Sequence, residues 1–394
     1  MIVVVPCFNE PDLIPSLASL KNCDQPNCDV EVIVVINSST ENSQEIKNKN
    51  IETLNEAKIW STQNSTSQLY YHFINVDNLP QKHAGVGLAR KIGMDEAVAR
   101  FESNNKDGII ICYDADSLCD ENYLVEIEKL FSTNSKLQGC SIYFEHPIFG
   151  QDFDENIYNG IINYELHLRY YVLALKFCEL PFAYHTIGSS MAVLSSAYQK
   201  QGGMNKRKAG EDFYFLHKII SQGNFAELKT TRVIPSPRIS DRVPFGTGRA
   251  MGEWVRLDSE TYSTYSFNSF KLIRDFVKLI PNLYKTDFEN FSAPNFFPNF
   301  EVMQNFLNSE NFKTAIVEIR KNSPSQETFD KRFFVWFDAF RVLKLVHFLR
   351  DNAFENSSVI DEVNELLKGR GDAFRSDDVL KLLFHLRSLE RTLT

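Results

Sequence analysis

The feature that most constrains the fold is an alternation of short apolar runs with helical segments over residues 1–120. The apolar runs are MIVVVP at the start of the chain, VEVIVVIN (30–37), LYYHFINV (69–76) and GIIICY (108–113). The helical segments between them are 12–20, 46–58 and 87–100. Short apolar strands that alternate with helices are typical of a mainly parallel sheet with helices on both faces. We therefore expect an α/β fold whose ligand site lies outside the carboxyl ends of the strands.

The pattern changes after residue 121. GCSIYFEHP (139–147) is typical of a strand, and residues 157–180 are typical of a long helix. AYHTIGSSMAVL (183–194) indicates a loop that enters a strand, and GEDFYFLHKIISQG (210–223) indicates a helix that begins on two acids. PSPRISDRVPFGTGRAM (235–251) has no periodicity and predicts a loop.

From residue 254 onward the sequence is helical and rich in phenylalanine, with apolar residues three or four positions apart. We expect these phenylalanines to form the core of a helical C-terminal region. The alternative is an apolar surface that binds a second copy of the chain or contacts a membrane peripherally.

Size and charge narrow the class of protein. The chain has 394 residues, 43% of them hydrophobic, which suffices for two domains or one large domain with an extension. The net charge of -9 argues against nucleic acid as a partner. No apolar run approaches the roughly 18 residues of a membrane span, and the start MIVVVPCFNE is unlike a signal peptide. The seven cysteines are odd in number and fit no zinc spacing, so we expect a cytoplasmic location.

Two carboxylates, Asp114 and Asp116, follow the fourth apolar run. Residues two apart in a strand point to the same face, so both side chains can reach one cation. Mg²⁺ and Mn²⁺ take oxygen ligands at roughly 2.0–2.2 Å and keep substrate phosphates in their shell. The alternative is an ordinary turn, to which Asp-x-Asp-Ser is well suited. An EF-hand is excluded, because Leu118 and Cys119 stand where that loop needs an oxygen ligand and a glycine.

Five stretches in chain order resemble the family 2 glycosyltransferases: VVVPCFNEPDLIPSL, VIVVINSS, GVGLARKIGMDEA, IICYDADS and GEDFYFLHKI. The resemblance implies a GT-A fold, a Rossmann-like α/β domain that binds nucleotide-diphosphate sugars, and makes Asp114-x-Asp116 its DxD motif. It assigns residues 1–250 to that domain, with a nucleotide-binding half at 1–120 and an acceptor half at 121–250. Residues 251–394 remain as the helical C-terminal region.

The resemblance also implies where the nucleotide lies. In the family the first strand leads to a turn along the nucleotide, and here that turn contains Pro6, Phe8, Asn9 and Glu10. The second strand ends at Asn37, where the family has an acid that contacts the base; asparagine can still hydrogen-bond a pyrimidine edge. Asp77, after the third strand, is a further candidate for the base pocket. A helix N-terminus accounts for the first turn as well.

Two other stretches that resemble the family imply which residues lie near the diphosphate. Gly85 and Gly87 allow the backbone to approach a ligand closely, and Arg90 offsets diphosphate charge unless it is a solvated helix residue. Asp114 and Ala115 are implied to contact the nucleotide sugar.

The same resemblance outlines the sugar pocket and a lid. Gly188 and Ser189 are implied as pocket walls, and His185 contacts phosphate or acceptor unless it is a structural hydrogen bonder. Arg242 and Arg249 lie where relatives have a loop that closes over the diphosphate and excludes water. The Gln-x-x-Arg-Trp signature of processive polymer synthases is absent from this stretch, which favours transfer of a single sugar.

Glu211 and Asp212 match the acid pair that contains the family's catalytic base. We assign Asp212 as the base that deprotonates the acceptor hydroxyl, with Glu211 supporting it. Acids in a first helical turn also stabilise the helix dipole by ~0.3–1 kcal/mol, which accounts for one of the two without catalysis.

Together these observations predict a metal-dependent glycosyltransferase that uses Mg²⁺ or Mn²⁺. It moves one sugar from a nucleotide-diphosphate sugar to an acceptor hydroxyl, with inversion at the sugar. A UDP-sugar is the default donor, and the acceptor is a glycan, a lipid-linked molecule or another hydroxyl compound, in surface polysaccharide or glycoconjugate synthesis. The alternatives are a nucleotidylyltransferase and a non-catalytic sugar-nucleotide-binding protein. The helical region is a candidate surface for homo-oligomer formation.

Overall fold

The computed structural model describes residues 1–242, 246–257, 261–285 and 301–392. The chain divides into two compact units. The first contains Met1–Ile161 and Tyr184–Asp258, and the second contains Ile162–Ala183 and Ser259–Thr394. The predicted domain boundary at residue 250 stays a prediction.

The first unit is built on an eight-stranded sheet. Its strands are β1 (Ile2–Cys7), β2 (Val30–Ser39), β3 (Leu69–Leu79), β4 (Ile109–Cys112), β5 (Leu118–Cys119), β6 (Gly139–Phe144), β7 (Met191–Leu194) and β8 (Phe225–Ile234). Their order across the sheet is β3-β2-β1-β4-β7-β6-β8-β5. β1 to β4 pair in parallel, whereas β7 runs antiparallel to both of its neighbours. The predicted α/β class is confirmed, with a mostly parallel, mixed sheet.

The central strands form where β-branched side chains are buried on both faces of the sheet. β1 and β6 are buried along their whole length, as expected for strands covered by helices on both sides. Because β1, β2 and β4 run in the same direction, the residues that follow them meet at one edge. That edge carries the turn after β1, the end of β2 and the two aspartates after β4.

Helices that lie wholly or in part in the first unit connect these strands. They are α1 (Leu13–Lys21), α2 (Gln44–Asn64), α3 (Val86–Ser103), α4 (Tyr123–Thr133), α5 (Glu155–Phe177), α6 (Ser195–Lys200), α7 (Glu211–Ile220) and α8 (Thr247–Leu257). From residue 162, α5 belongs to the second unit. The helices predicted at 12–20, 46–58 and 87–100 are confirmed as α1, α2 and α3. A Cβ at Gly93 would lie 2.4 Å from Val4 Cγ1, so glycine allows α3 to pack tightly on β1.

The predicted loop over 235–251 is wrong in its last part, because α8 begins at Thr247. Residues 243–245 of that stretch lie outside the described residues. Trp254 is 5% exposed and packs on α5, where a Cβ at Gly160 would lie 2.7 Å from the indole ring. Burial of this aromatic side chain stabilises a helix whose glycines disfavour it, since packing commonly outweighs propensity.

Among its described residues, the second unit is helical except for the antiparallel pairing of β9 (Ser263–Thr264) with β10 (Ser357–Ser358). Its other helices are α9 (Phe267–Leu283), α10 (Glu301–Ser309), α11 (Phe312–Lys321), α12 (Gln326–Trp336), α13 (Ala339–Asn352), α14 (Val359–Gly369) and α15 (Val379–Thr392). Phe276, Phe329, Phe333 and Phe337 have no exposed surface, which confirms the predicted aromatic core. None of the helices in the described ranges has both the length and the apolar composition that a membrane crossing requires.

Candidate active site

The two aspartates after β4 face different arginines. Arg90 of α3 donates from Nη2 to Asp114 Oδ1 over 2.8 Å, whereas Asp116 Oδ2 lies 2.9 Å from Arg238 Nη2. The side chain of Asp114 is 37% exposed and that of Asp116 is 22% exposed. The DxD turn therefore joins two clusters of charged side chains, one around Arg90 and one around Arg238.

The Arg90 cluster consists of Arg90, Asp114 and Glu211. Arg90 is 2% exposed, and its Nη1 donates to Glu211 Oε1. The Gly188 backbone covers the guanidinium so closely that a Cβ there would lie 2.6 Å from Nη1. Burial lowers the pKa of Arg90, but the charges of Glu211 and Asp114 outweigh it and raise the pKa overall. Arg90 thus stays charged while its two terminal nitrogens are occupied by carboxylates.

The acid pair, Glu211 and Asp212, begins α7 directly after Gly210, whose φ is 68°. Burial raises the pKa of Glu211 to about 7; Arg90 opposes this rise and the charge of Asp212 adds to it. Burial also raises the pKa of Asp212. The main cause is that burial removes both carboxylates from water, and the charge of Arg90, which lies near Asp114 as well, offsets this only in part. The pair is therefore prepared to hold a proton at near-neutral pH.

Asp212 is half-buried and held by backbone donors. Its Oδ1 accepts from the Phe213 N–H over 2.7 Å, and the Gly188 backbone N–H also bonds to it. These bonds fix the carboxylate at the start of α7 beside Gly188, the residue that covers Arg90. A carboxylate with a raised pKa in a fixed position has the properties of a general base.

The Glu10 cluster consists of Glu10, Asp116, Arg238 and Arg242. Arg238 donates from Nη1 to Glu10 Oε1 over 2.6 Å and from Nη2 to Oε2. Arg242 donates from Nη1 to Glu10 Oε2 and to the Phe8 carbonyl, each over 2.9 Å. Both arginines belong to residues 235–242, so this segment is attached to the turn after β1 by charge-assisted hydrogen bonds.

The two acids of the Glu10 cluster have pKa shifts of opposite sign. Burial acts to raise the pKa of Glu10, but the hydrogen bonds and charges of Arg238 and Arg242 outweigh it and lower the pKa. Burial raises the pKa of Asp116 to about 6, with Arg238 opposing and the charges of Asp114 and Glu10 adding to the rise. Glu10 is thus fully neutralised by arginine, whereas Asp116 is not.

Side chains of α2 hold the ends of β1 and β2 in place. Asn9 has a φ of 48°, in the left-handed region that asparagine tolerates. Its N–H donates to Asn50 Oδ1 over 2.9 Å, and Asn50 Nδ2 donates to the Asn37 carbonyl over 3.0 Å. Thr53 Oγ1 donates to the Glu10 carbonyl over 3.3 Å. The two strand ends that the sequence assigns to the nucleotide are therefore connected through one helix.

The other predicted donor-site residues lie at the same sheet edge or packed beneath it. Pro6 and Asn37 are buried within β1 and β2, and Phe8 is half-buried. Asp77 is exposed and lies within β3, which continues to Leu79, so its predicted position after that strand is wrong. Its neighbour Val76 is paired with Asn37 in the register of β2 and β3.

Residues predicted near the diphosphate and the sugar are largely buried. Ala115 and Ser189 are 4% and 2% exposed. A Cβ at Gly87 would lie 2.2 Å from the Arg207 carbonyl and 3.0 Å from Glu211 Cβ. The close approach that Gly87 permits is therefore to the chain itself, at the residues that precede and begin α7.

The contacts shown for Arg249 and His185 are with residues outside the two clusters. Arg249 is 44% exposed and pairs with Glu253 over 2.9 Å on the surface of α8. The ring of His185 packs edge-to-face against Phe144 at 5.1 Å between centroids.

The oxygen atoms of Asp114 and Asp116 are the candidate ligands of the predicted divalent cation. No group of three or more potential ligands from His, Cys, Asp and Glu is present among the described residues. Asp114 and Asp116 each use one carboxylate oxygen with an arginine, which leaves the second oxygen of each. One or two carboxylates with substrate phosphates are the usual magnesium environment. The residues fit a cation that binds together with a diphosphate.

Sequence reasoning missed Arg238, the residue that bridges Glu10 and Asp116. The predicted loop was assigned its cations at Arg242 and Arg249, of which only Arg242 joins the cluster. The available signal was that Arg238 and Arg242 are the two basic residues of 235–242, on one side of the glycine-rich stretch. Nothing in the sequence indicates that Glu10 would pair with both.

Comparisons with known proteins agree with the motifs. Residues 2–178 match the family model described as "Glycosyl transferase family 2". No curated protein matches the chain. Among solved structures, TarS residues 1–349 from S. aureus in complex with UDP-GlcNAc is 13% identical, with a TM-score of 0.44, and the alignment covers 95% of this chain and 93% of that one.

A second similar structure is the mannosyltransferase PcManGT from Pyrobaculum calidifontis in complex with GDP-Man and Mn²⁺. It is 15% identical, with a TM-score of 0.38, and the alignment covers 100% of this chain and 86% of that one. The family match contains the turn after β1, the end of β2, α3 and the DxD turn, which are four of the five motifs found in the sequence. Residues 2–178 therefore match a family 2 glycosyltransferase domain, the enzyme class that the sequence motifs predict.

Proposed function

We propose that the protein transfers a single sugar from a nucleotide-diphosphate sugar to an acceptor hydroxyl, with inversion at the anomeric carbon. The observation that carries this proposal is the connection from the DxD turn to the acid pair. Arg90 bonds to both Asp114 and Glu211, so the end of β4 and the start of α7 form one charged centre. A donor site and a base must lie this close for a one-step displacement.

Asp212 is the proposed base. Its carboxylate takes the proton of the acceptor hydroxyl while that oxygen attacks the anomeric carbon and the nucleoside diphosphate leaves. Its raised pKa makes it a stronger proton acceptor than an ordinary aspartate once it is ionised. The Phe213 and Gly188 N–H groups hold the position of this carboxylate.

The donor is proposed to lie along the turn after β1 and the end of β2. Phe8, Asn9 and Glu10 lie along the nucleotide. Asn37 and Asp77 contact the base, and Gly188 and Ser189 lie beside the sugar. A UDP-sugar is the proposed donor on the basis of the family resemblance, and a glycan or lipid-linked hydroxyl is the proposed acceptor.

Asp114 and Asp116 are the residues that would hold Mg²⁺ or Mn²⁺. When bound, the cation would neutralise charge on the leaving diphosphate. Arg238 and Arg242 lie beside Asp116 and would add positive charge next to the cation. Residues 235–242 are proposed to cover the diphosphate and exclude water, which limits hydrolysis of the donor.

The test is sugar transfer by the purified full chain with a panel of UDP- and GDP-sugars, with Mn²⁺ or with EDTA. Asp212→Asn should lower the transfer rate by roughly 10²–10⁴-fold, the usual contribution of a general base. Asp361→Asn is the matched control, because Asp361 is also an acid in a first helical turn and is exposed. Retention of the full rate by Asp212→Asn would rule out the assignment of the base, and a full rate in EDTA would rule out the cation.

A further inference from the structure

Two cysteines from distant parts of the sequence meet beside the DxD turn. Cys23 follows α1, and Cys119 lies in β5, three residues after Asp116. Their Sγ atoms are 3.6 Å apart, although the residues are separated by 96 positions in the chain. Both residues are partly exposed, and all seven cysteines are free. The two thiols are thus in contact with each other in a partly buried position.

The backbones on both sides of this thiol pair are fixed by Ser19 of α1. The Cys119 N–H donates to Ser19 Oγ over 2.9 Å, and Cys23 Sγ lies 3.5 Å from the Ser19 carbonyl. Cys23 Sγ also lies 3.8 Å from the Asp120 carbonyl. The contact between the two sulfurs is therefore built from several bonds between α1 and β5.

The two thiols differ in reactivity. The hydrogen bond from Cys23 lowers the pKa of Cys119, helped by Ser19 and Tyr113 and opposed by burial. The same hydrogen bond and burial raise the pKa of Cys23. Because the thiolate is the reactive form of cysteine, Cys119 has the properties of the attacking sulfur and Cys23 those of the resolving one. The remaining five cysteines have no thiol partner within hydrogen-bonding distance among the described residues.

We propose that Cys23 and Cys119 are a redox modification site at which a peroxide forms a reversible disulfide. The Cys119 thiolate attacks one peroxide oxygen, so that an S–O bond forms, the O–O bond breaks and hydroxide leaves as water. Cys23 then attacks the sulfenic sulfur, forming the S–S bond and releasing the second water. Both sulfurs are oxidised and the two peroxide oxygens are reduced; a dithiol reverses the reaction by thiol–disulfide exchange.

The disulfide would act on the DxD turn through its bonds to α1 and β5. An S–S bond of ~2.05 Å requires the sulfurs to approach each other from their present separation. Cys119 is joined to the turn through Ser117, whose N–H donates to the Asp114 carbonyl over 3.1 Å, and Ser16 Oγ of α1 donates to the same carbonyl over 3.2 Å. Closing the sulfur pair therefore changes the distance between the two segments that hold Asp114.

The experiment treats the reduced full chain with hydrogen peroxide and counts thiols after denaturation. The seven thiols should fall to five, with a cross-linked Cys23–Cys119 peptide in the mass spectrum and full recovery in dithiothreitol. Cys23→Ser and Cys119→Ser should each abolish the cross-link. Cys28→Ser is the control, because Cys28 is also partly exposed but bonds to the chain's N-terminal amine, and it should lose two thiols as the unmodified chain does.

Three results would overturn the proposal: no cross-link at any peroxide concentration that leaves the methionines intact, a cross-link through a different cysteine, or conversion of Cys119 to sulfinic acid while Cys23 stays a thiol. These readouts need no substrate, so they are independent of the proposed function. The effect on the DxD turn is measured separately, as a decrease in the transfer rate of the oxidised chain that Cys23→Ser does not show; an equal rate before and after oxidation would refute that effect alone.

Discussion

At the scale of single residues, the number of arginines near each acid of the site affects the pKa of that acid. Arg90 lies among Asp114, Glu211 and Asp212, and two arginines serve Glu10 and Asp116. The pKa values follow this balance: Glu10 has two arginines and a lowered pKa, whereas Glu211 shares one and has a raised pKa. The charge balance predicts measurable effects of pH and of substitution.

The raised pKa of Glu211 predicts that part of the stability is lost as the pH rises. A carboxyl group with a folded-state pKa of about 7 and an unfolded value near 4.5 binds more protons when folded. Its stabilising contribution is therefore complete below about pH 4.5 and is lost as the pH rises through about 7. Glu211→Gln should flatten the fall in unfolding free energy between pH 5 and 8, by on the order of 3 kcal/mol.

The measurement is urea unfolding of both proteins at several pH values in that range. Glu52→Gln is the control, since Glu52 lies exposed on α2, and it should keep the slope of the unmodified chain. An identical slope for Glu211→Gln would contradict the assignment of the titrating group.

Gly188 is predicted to tolerate no side chain. A Cβ at this position would lie 2.6 Å from Arg90 Nη1 and 2.9 Å from Cζ, and the guanidinium is buried and bonded to two carboxylates. Gly188→Ala should destabilise the protein by roughly 1–3 kcal/mol through overpacking. Gly252→Ala on α8, where the nearest atom would be a side-chain carbon at 3.3 Å, should cost less. Equal midpoints for the two variants in thermal unfolding would refute the close packing at Gly188.

At the scale of elements, the site is assembled by connections between strand ends and helices that the topology brings together. Asn50 and Thr53 of α2 fix the turn after β1, and Ser16 and Ser19 of α1 hold the segment from Asp114 to Cys119. Residues 235–242 form the remaining wall through Arg238 and Arg242. The elements that carry the site are thus held by side chains at some distance from the reacting groups.

Arg238 is predicted to attach residues 235–242 to the sheet. Arg238→Gln removes two bonds to Glu10, which is 3% exposed, and leaves its charge with Arg242 alone. Removing one partner of a buried ion pair costs roughly 3–5 kcal/mol, and we expect about half of this because Arg242 remains. Arg249→Gln is the matched control: it breaks exposed pairs with Glu253 and Asp241, which contribute about 0–1 kcal/mol. If both variants unfold at the same urea concentration, Arg238 does not have this role.

At the scale of the whole molecule, each unit has its own network of charged side chains that are largely buried. In the second unit, Arg387 of α15 donates to both oxygens of Glu165, over 2.7 and 2.8 Å. Glu165 also accepts from Arg169, which pairs in turn with Glu390. Glu165 and Arg169 have no exposed surface, so this network ties the last described helix to α5.

Arg387→Met is therefore predicted to destabilise the second unit strongly. It leaves the buried Glu165 with Arg169 as its remaining cation in this network, and the loss of one partner costs roughly 3–5 kcal/mol. Arg375→Met, at an exposed arginine that bonds to the carbonyls of Asp372 and Phe374, should change stability by less than about 0.5 kcal/mol. Calorimetry of both variants decides the question, and an unchanged transition in Arg387→Met would show that the network is not stabilising.

The sequence by itself determined the α/β class and the order along the chain of β1 to β4 and their helices. It also placed Glu10, Asp114 and Asp116 after strands and the acid pair at the start of a helix. These features could be predicted because apolar periodicity and strand ends are local properties of the chain. The motifs likewise consist of functional residues at short, fixed spacings. The strand β8 and the helix α8 were not predicted. The polar residues of β8 and the glycines of α8 weaken the local pattern, so these segments become regular only when they are packed.

Only the tertiary structure decided which charges meet. Arg238 reaches Glu10 across 228 positions of the chain, Arg90 reaches Glu211 across 121, and Cys23 reaches Cys119 across 96. No local pattern specifies such pairs, because their partners are set by the order of strands across the sheet and by how α1, α3 and α7 pack upon it.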